Sequence, residues 1–104
     1  MKTYNKLVRD RIPEIIEGKG GVSKTRVLSD DTEYLSELGK KLQEEVNEYL
    51  QDGYIDELAD IMEVIHAILE TQDVSIRELE DVRKEKANER GGFSKRLYLE
   101  TVEE

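Results

Sequence analysis

Residues 45–60 read EVNEYLQDGYIDELAD, and this stretch decides the fold because two acidic pairs flank one compact turn. Glu45 and Glu48 precede the turn QDGY, and Glu57 and Asp60 follow it. Both pairs lie on helical patterns, so a helix–turn–helix hairpin brings the four carboxylates together. Converging carboxylates are ligands for a divalent cation, and a metal site is the hypothesis that this stretch favours.

The position of these pairs relative to the apolar faces separates them from the other acidic pairs of the chain. At about 100° per residue, the apolar face of the first hairpin helix consists of Leu35, Leu38, Leu42, Val46 and Tyr49. Glu45 projects at the edge of this face, and Glu44 is expected to point to solvent. Glu57 falls inside the apolar sector of the second helix, and Asp60 lies at its border. A carboxylate there is unfavourable unless it is paired or bound to metal, although charges at the edge of a core can also reach solvent.

Composition limits the classes of partner. The chain has 104 residues, 39% of them charged, and a net charge of -9. This charge opposes binding to a nucleic-acid polymer, whose phosphates repel it. Cysteine is absent, which excludes disulfides and thiolate metal sites. Without a membrane-length apolar run or a signal-peptide pattern, we expect a cytoplasmic protein with no membrane partner.

Hydrophobic periodicity predicts an all-α fold, with a helical hairpin and flanking helices in one domain over residues 1–104. Asp10 is expected to cap a short first helix that has Pro13 in its first turn. The longer helices are predicted at Thr32–Gln51, Ile55–Glu70 and Ser75–Arg90. Weak alternation indicates extended segments at Val22–Leu28 and Phe93–Leu99.

Several basic residues admit two interpretations. Lys86 and Arg90 follow the apolar start of the last helix. They are either cations favoured at a helix C-terminus or phosphate ligands. Lys41 either pairs with Glu45 one turn later or joins the phosphate ligands. His66 points away from the acidic side chains and is predicted at the surface or in an interface.

The wide apolar face of the second hairpin helix predicts self-association. Its apolar residues cover about half of the helix circumference, which is more than one neighbouring helix buries. We therefore expect a homodimer or homotetramer built from paired hairpins.

The chain resembles the all-α nucleoside triphosphate pyrophosphohydrolases, the MazG-like group with its phosphoribosyl-ATP pyrophosphohydrolase relatives. Their signature, E-x-x-E followed by E-x-x-D, matches residues 45–48 and 57–60. The opening YNKLVRDRIPEII (4–16) and the closing RGGF (90–93) are similar to a compact branch of that group. One departure is the spacing of eight residues between Glu48 and Glu57, shorter than is usual in MazG enzymes.

The resemblance implies a reaction and a set of residues. Mg²⁺, or Mn²⁺, would be held by Glu45, Glu48, Glu57 and Asp60, and a nucleoside triphosphate would be cleaved to monophosphate and pyrophosphate. Phosphates would be held by Lys41, Lys86 and Arg90, with Asn5, Lys6 and Arg9 completing the site. The alternatives are a phosphoribosyl-ATP-type enzyme, or a non-catalytic metal-binding or interaction module.

Overall fold

The computed structural model describes residues 2–103, which form four helices and no β-strand. In chain order the helices are α1 (Ile12–Gly18), α2 (Asp31–Asp52), α3 (Ile55–Thr71) and α4 (Ile76–Arg90). The predicted all-α fold is therefore confirmed. None of these helices combines the length and the apolar character that crossing a membrane requires. The chain divides into two compact units, Met1–Asp73 and Val74–Glu104.

Local sequence signals explain where α2 begins and ends. The Asp30 carboxylate caps the helix by accepting a hydrogen bond of 3.1 Å from the backbone N–H of Thr32. At the other end Gly53 adopts a φ of +72°, a left-handed conformation that glycine tolerates best. Its N–H donates to the carbonyl of Tyr49 at 2.8 Å, so the turn reverses the chain directly into α3.

The α2–α3 hairpin contains the core of the first unit. Leu38 of α2 is buried together with Val64 and Leu69 of α3. These three are the buried apolar side chains among residues 2–103, so this core is small even for a chain of this length. The same interface also buries Glu45, and this places a carboxylate beside the apolar core.

The second unit is built on α4. The Ser75 hydroxyl accepts a hydrogen bond of 3.1 Å from the backbone N–H of Glu78 and caps its first turn, as the sequence predicts. The helix ends before Gly91, whose N–H donates to the carbonyl of Ala87 at 2.8 Å. No side chain of α4 is fully buried.

One local prediction is wrong, and another is wrong in part. Asp10 does not cap α1, because Arg11 is the capping residue and makes no side-chain hydrogen bond to the backbone. The N–H of Ile12 donates to the carbonyl of Arg9 at 3.1 Å, so Asp10 lies within the turn that precedes the helix. Pro13 does occupy the first turn. Residues 22–28 contain no helix, turn or paired strand, which leaves the expected extended segment uncontradicted. In 93–99 the N–H of Arg96 donates to the carbonyl of Phe93 at 2.9 Å, so a turn begins the segment that was expected to be extended throughout.

Candidate metal centre

Four carboxylates meet across the hairpin, as the spacing of the two acidic pairs predicts. Each of Glu45, Glu48, Glu57 and Asp60 offers one oxygen, and these four oxygens all lie within 4.8 Å of one another. The first two residues are on α2 and the last two are on α3. We call these four residues the acidic cluster. The Gly53 turn produces it, because it folds the end of α2 directly onto the start of α3.

Burial distinguishes the acidic cluster from ordinary surface charges. The Glu45 side chain is only 8% exposed, and the other three carboxylates are half-buried. Glu45 Oε2 and Glu57 Oε2 are buried and have no hydrogen-bond partner among the residues that the structure describes. Leaving a buried carboxylate oxygen without a partner is energetically costly. The site thus presents two buried acceptors that a cation or a donor would satisfy.

The electrostatics of Glu45 follow from this position. Burial raises the pKa of the Glu45 carboxyl, because the charged form loses hydration. A hydrogen bond from Lys41 opposes this change, and repulsion from Glu48 and Asp60 adds to it. The pKa rises because burial and crowding outweigh the lysine, and an added positive charge near Glu45 would favour the ionised form.

Lys41 forms the predicted ion pair with Glu45, one helical turn later. Its Nζ lies 3.3 Å from Glu45 Oε1 and 3.6 Å from Glu44 Oε2. This ion pair does not exclude a phosphate contact, since a lysine has three donors. The predicted role of Lys41 as a phosphate ligand stays a prediction.

The prediction that Glu44 points freely to solvent is wrong. Its side chain is half-buried and accepts a hydrogen bond of 2.8 Å from Lys6 Nζ. This hydrogen bond lowers the pKa of Glu44 and raises the pKa of Lys6. The position of Glu44 around the helix correctly predicted that it lies outside the acidic cluster. That position could not predict its ion pair with Lys6, which is distant in sequence.

Arg9 contacts the acidic cluster directly. Its Nη2 donates to Asp60 Oδ1 at 2.7 Å, across 51 positions of sequence. Arg9 was expected near the site only because of the resemblance to the pyrophosphohydrolases. The structure gives it a specific partner, and that partner is one of the four carboxylates.

Three of the predicted phosphate ligands line one small cleft. Asn5, Lys6 and Lys41 surround it, together with Leu7, Glu37, Lys40 and Glu44. Its volume of about 60 Å³ is far below the several hundred Å³ of a typical ligand pocket. Lys40 is a lining residue that the sequence analysis missed. The sequence could have indicated this residue, because Lys40 directly precedes Lys41.

The remaining candidates are on α4 and α3. Lys86 and Arg90 are exposed on α4, in the second unit, and their contact with phosphate stays a prediction. His66 is exposed on α3, as expected for a surface or interface residue.

The ligand atoms suit a hard divalent cation. All four are carboxylate oxygens, which Mg²⁺ and Mn²⁺ prefer over nitrogen or sulfur ligands. Opposite oxygens around Mg²⁺ are about 4.2 Å apart, since each Mg–O distance is about 2.1 Å. The observed spread of up to 4.8 Å requires only small side-chain adjustments. The two unpartnered buried oxygens are the feature that a bound cation would satisfy.

Comparison with known proteins identifies no family for this chain. No protein-family model matches the chain, and no solved structure matches it. A protein of Mycolicibacterium smegmatis (strain ATCC 700084 / mc(2)155), named only as uncharacterized, is 57% identical over 42 residues. That match covers 40% of this chain and 42% of the relative.

Proposed function

We propose that this protein is a Mg²⁺-dependent nucleoside triphosphate pyrophosphohydrolase that cleaves the bond between the α- and β-phosphates. The observation that carries the proposal is the acidic cluster, with its two buried oxygens that lack partners. The resemblance of residues 45–48 and 57–60 to the pyrophosphohydrolase signature supplies the reaction. The net charge of -9 makes the cation necessary to this proposal, since such a chain binds a polyphosphate poorly unless cations bridge the two.

The products follow from the bond that breaks. A water oxygen forms a bond to the α-phosphorus, and the bond from that phosphorus to the bridging oxygen breaks. Pyrophosphate leaves with the electron pair, and the nucleoside monophosphate remains. Glu48 accepts the proton of the attacking water, because it is a half-buried carboxylate at the solvent border of the apolar face.

The acidic cluster positions the metal in this proposal. Glu45, Glu48, Glu57 and Asp60 would hold the cation. Bound Mg²⁺ supplies charge neutralisation for the triphosphate and lowers the pKa of water. A non-catalytic module that binds metal shares this part of the proposal, so turnover must be measured together with binding.

Cationic side chains hold the phosphates. Lys41 and Lys6 both line one cleft beside α2, and we propose that they contact phosphate oxygens. Lys86 and Arg90 are proposed for the leaving pyrophosphate, whose negative charge grows as the bond breaks. Asn5 and Arg9 complete the set from the N-terminal segment.

The first test is a panel of ribo- and deoxyribonucleoside triphosphates, with phosphoribosyl-ATP included. Pyrophosphate and monophosphate are measured with Mg²⁺, with Mn²⁺ and with chelator. We expect equal amounts of both products from at least one triphosphate, and none with chelator. Turnover of phosphoribosyl-ATP alone would move the assignment to that class of substrate. Metal-dependent stabilisation without any turnover would identify a metal-binding module instead.

We also propose that the protein works as a homodimer or homotetramer. Leu58 and Met62 on α3 are 43% and 47% exposed, although both belong to the apolar sector of that helix. A second copy would cover them and enlarge a core that buries only three apolar side chains among residues 2–103. The cleft of about 60 Å³ is also too small for a nucleotide by itself.

Light scattering after size-exclusion chromatography tests this assembly. We expect the wild type at two or four times the mass of the chain, and Met62→Glu at a smaller multiple. A charge on an apolar interface loses its hydration on association, which disfavours the assembly. The control is Glu63→Gln, an exposed neighbour on the same helix, and it should keep the wild-type mass. A monomeric wild type at micromolar concentration would contradict the proposal.

A further inference from the structure

The segment before α1 is joined to both helices of the hairpin by two ion pairs. Lys6 Nζ donates to Glu44 Oε1 of α2 at 2.8 Å, and Arg9 Nη2 donates to Asp60 Oδ1 of α3 at 2.7 Å. We call residues 5–9 the N-terminal strap. The strap contains no helix or strand, and these two ion pairs join it to α2 and α3.

The two ion pairs differ in their relation to the acidic cluster. Glu44 lies outside the cluster, so the Lys6 pair can persist whether or not a cation is bound. Asp60 belongs to the cluster, and the Arg9 guanidinium already neutralises it. A carboxylate that is paired with a guanidinium is a weaker ligand, and the guanidinium repels a second cation at short distance.

We propose that Arg9 and a divalent cation compete for Asp60, and that cation binding releases Arg9 from the cluster. The proposal rests on the proposed function, since it concerns the regulation of the same metal site. The Arg9 side chain is 54% exposed, which suits a displaceable counter-ion better than a fixed support of a ligand. An exposed ion pair contributes little free energy, so a metal–carboxylate bond can replace it.

Release has a functional consequence for the order of binding. After displacement, the strap still holds Arg9 beside the cluster, because the Lys6–Glu44 pair is not affected. The free guanidinium then faces a site that has gained positive charge, where a phosphate is the matching ligand. A planar guanidinium binds phosphate oxygens in pairs, so Arg9 changes from a carboxylate to a phosphate partner. Metal binding therefore precedes and promotes nucleotide binding.

The experiment measures Mn²⁺ and Mg²⁺ affinity by calorimetry, with no nucleotide present, for the wild type and Arg9→Gln. Competition predicts tighter metal binding in Arg9→Gln, by about two- to five-fold, the range that an exposed ion pair can produce. A support role for Arg9 predicts the opposite sign, because loss of a group that orients a ligand weakens metal binding. The sign of the change therefore decides between the two roles.

Two control variants separate competition from a general effect of charge. Lys6→Gln removes the same charge from the strap, but its partner Glu44 is not in the cluster. Arg11→Gln removes an arginine that pairs with Glu14 within α1. We expect a smaller gain in affinity for Lys6→Gln than for Arg9→Gln, and no change for Arg11→Gln. Equal gains in metal affinity for Lys6→Gln and Arg9→Gln would overturn competition. They would show that both variants act only by removing a positive charge near the site.

A second measurement follows Arg9 itself. The ¹⁵N relaxation of the Arg9 side chain should show faster motion when Mg²⁺ is added to the wild type. Unchanged motion at metal saturation would overturn the release of Arg9 while leaving the proposed enzyme intact. A wild type that binds no metal and cleaves no triphosphate would overturn the proposed function and the competition together.

Discussion

Glu57→Gln is expected to lower metal-dependent pyrophosphate release at least about 100-fold. Even the loss of a residue that only hydrogen-bonds to a metal ligand lowers metal affinity or activity about 10- to 100-fold. Glu57 Oε2 is buried without a hydrogen-bond partner among residues 2–103, and the carboxylate belongs to the acidic cluster. Glutamine keeps the shape of the side chain but replaces an anionic oxygen with a neutral amide. The packing of α3 is therefore preserved, and the ligand set loses one charge.

The same variant should lose the thermal stabilisation that metal provides. At a free cation concentration of 100 times Kd, binding to the folded state alone adds about 2.7 kcal/mol of stability. Calorimetric melting with Mg²⁺ and with chelator measures this difference. The control is Glu63→Gln, which removes one exposed carboxylate from the same helix. Equal losses of activity in the two variants would show that only net charge matters, and would remove the acidic cluster from the mechanism.

Glu45→Gln is expected to change stability in opposite directions with and without metal. In chelator the variant should melt a few degrees above the wild type, because a buried carboxylate is replaced by a neutral group. With Mg²⁺ it should melt below the wild type, since one ligand of the cluster is lost. Activity should fall as far as in Glu57→Gln. The physical basis is the raised pKa of Glu45, which shows that ionisation of this carboxyl opposes folding.

The pH dependence of this difference has a definite sign. A carboxyl whose pKa is raised in the folded state binds more protons there than in the unfolded state. Wild-type stability in chelator therefore gains from Glu45 as the pH falls through its raised pKa. The advantage of Glu45→Gln should shrink over the same range. An advantage that grows as the pH falls would contradict the assigned cause.

Lys41→Gln is the matched control for Glu45→Gln. It removes the cation 3.3 Å from Glu45 Oε1 but leaves the buried carboxylate in place. Its stability in chelator should fall, because an uncompensated buried charge is more costly than a paired one. A stability rise in Lys41→Gln would contradict this prediction, because it would mean that Lys41 does not compensate the buried carboxylate.

The helices could be predicted from the sequence because their signals are local. Ser75 caps α4, and the turn at Gly53 ends α2, each through contacts within four residues. The burial of Glu45 could also be predicted, since it depends only on the phase of one residue against the apolar face of its own helix. Asp10 failed as a cap for an equally local reason, because the turn closed by Ile12 N–H begins the helix one residue later.

The partners of the charged residues could not be predicted in the same way. Glu44 was expected in solvent because its position on α2 points away from the apolar face. It is covered instead by Lys6, which is 38 positions away in sequence. Many lysines could satisfy a surface carboxylate equally well, and nothing in the local pattern selects one of them.

The four helices and the convergence of four carboxylates across one turn follow from local patterns in the sequence. Periodicity and a short turn are enough for this, since both act over a few residues. Which cations reach those carboxylates depends instead on how distant segments pack together. Arg9 contacts Asp60 across 51 positions, and this depends on the path of a segment with no regular structure. That path is set by packing over the whole hairpin, because weak ion pairs determine a partner only after the backbone has brought the two groups together.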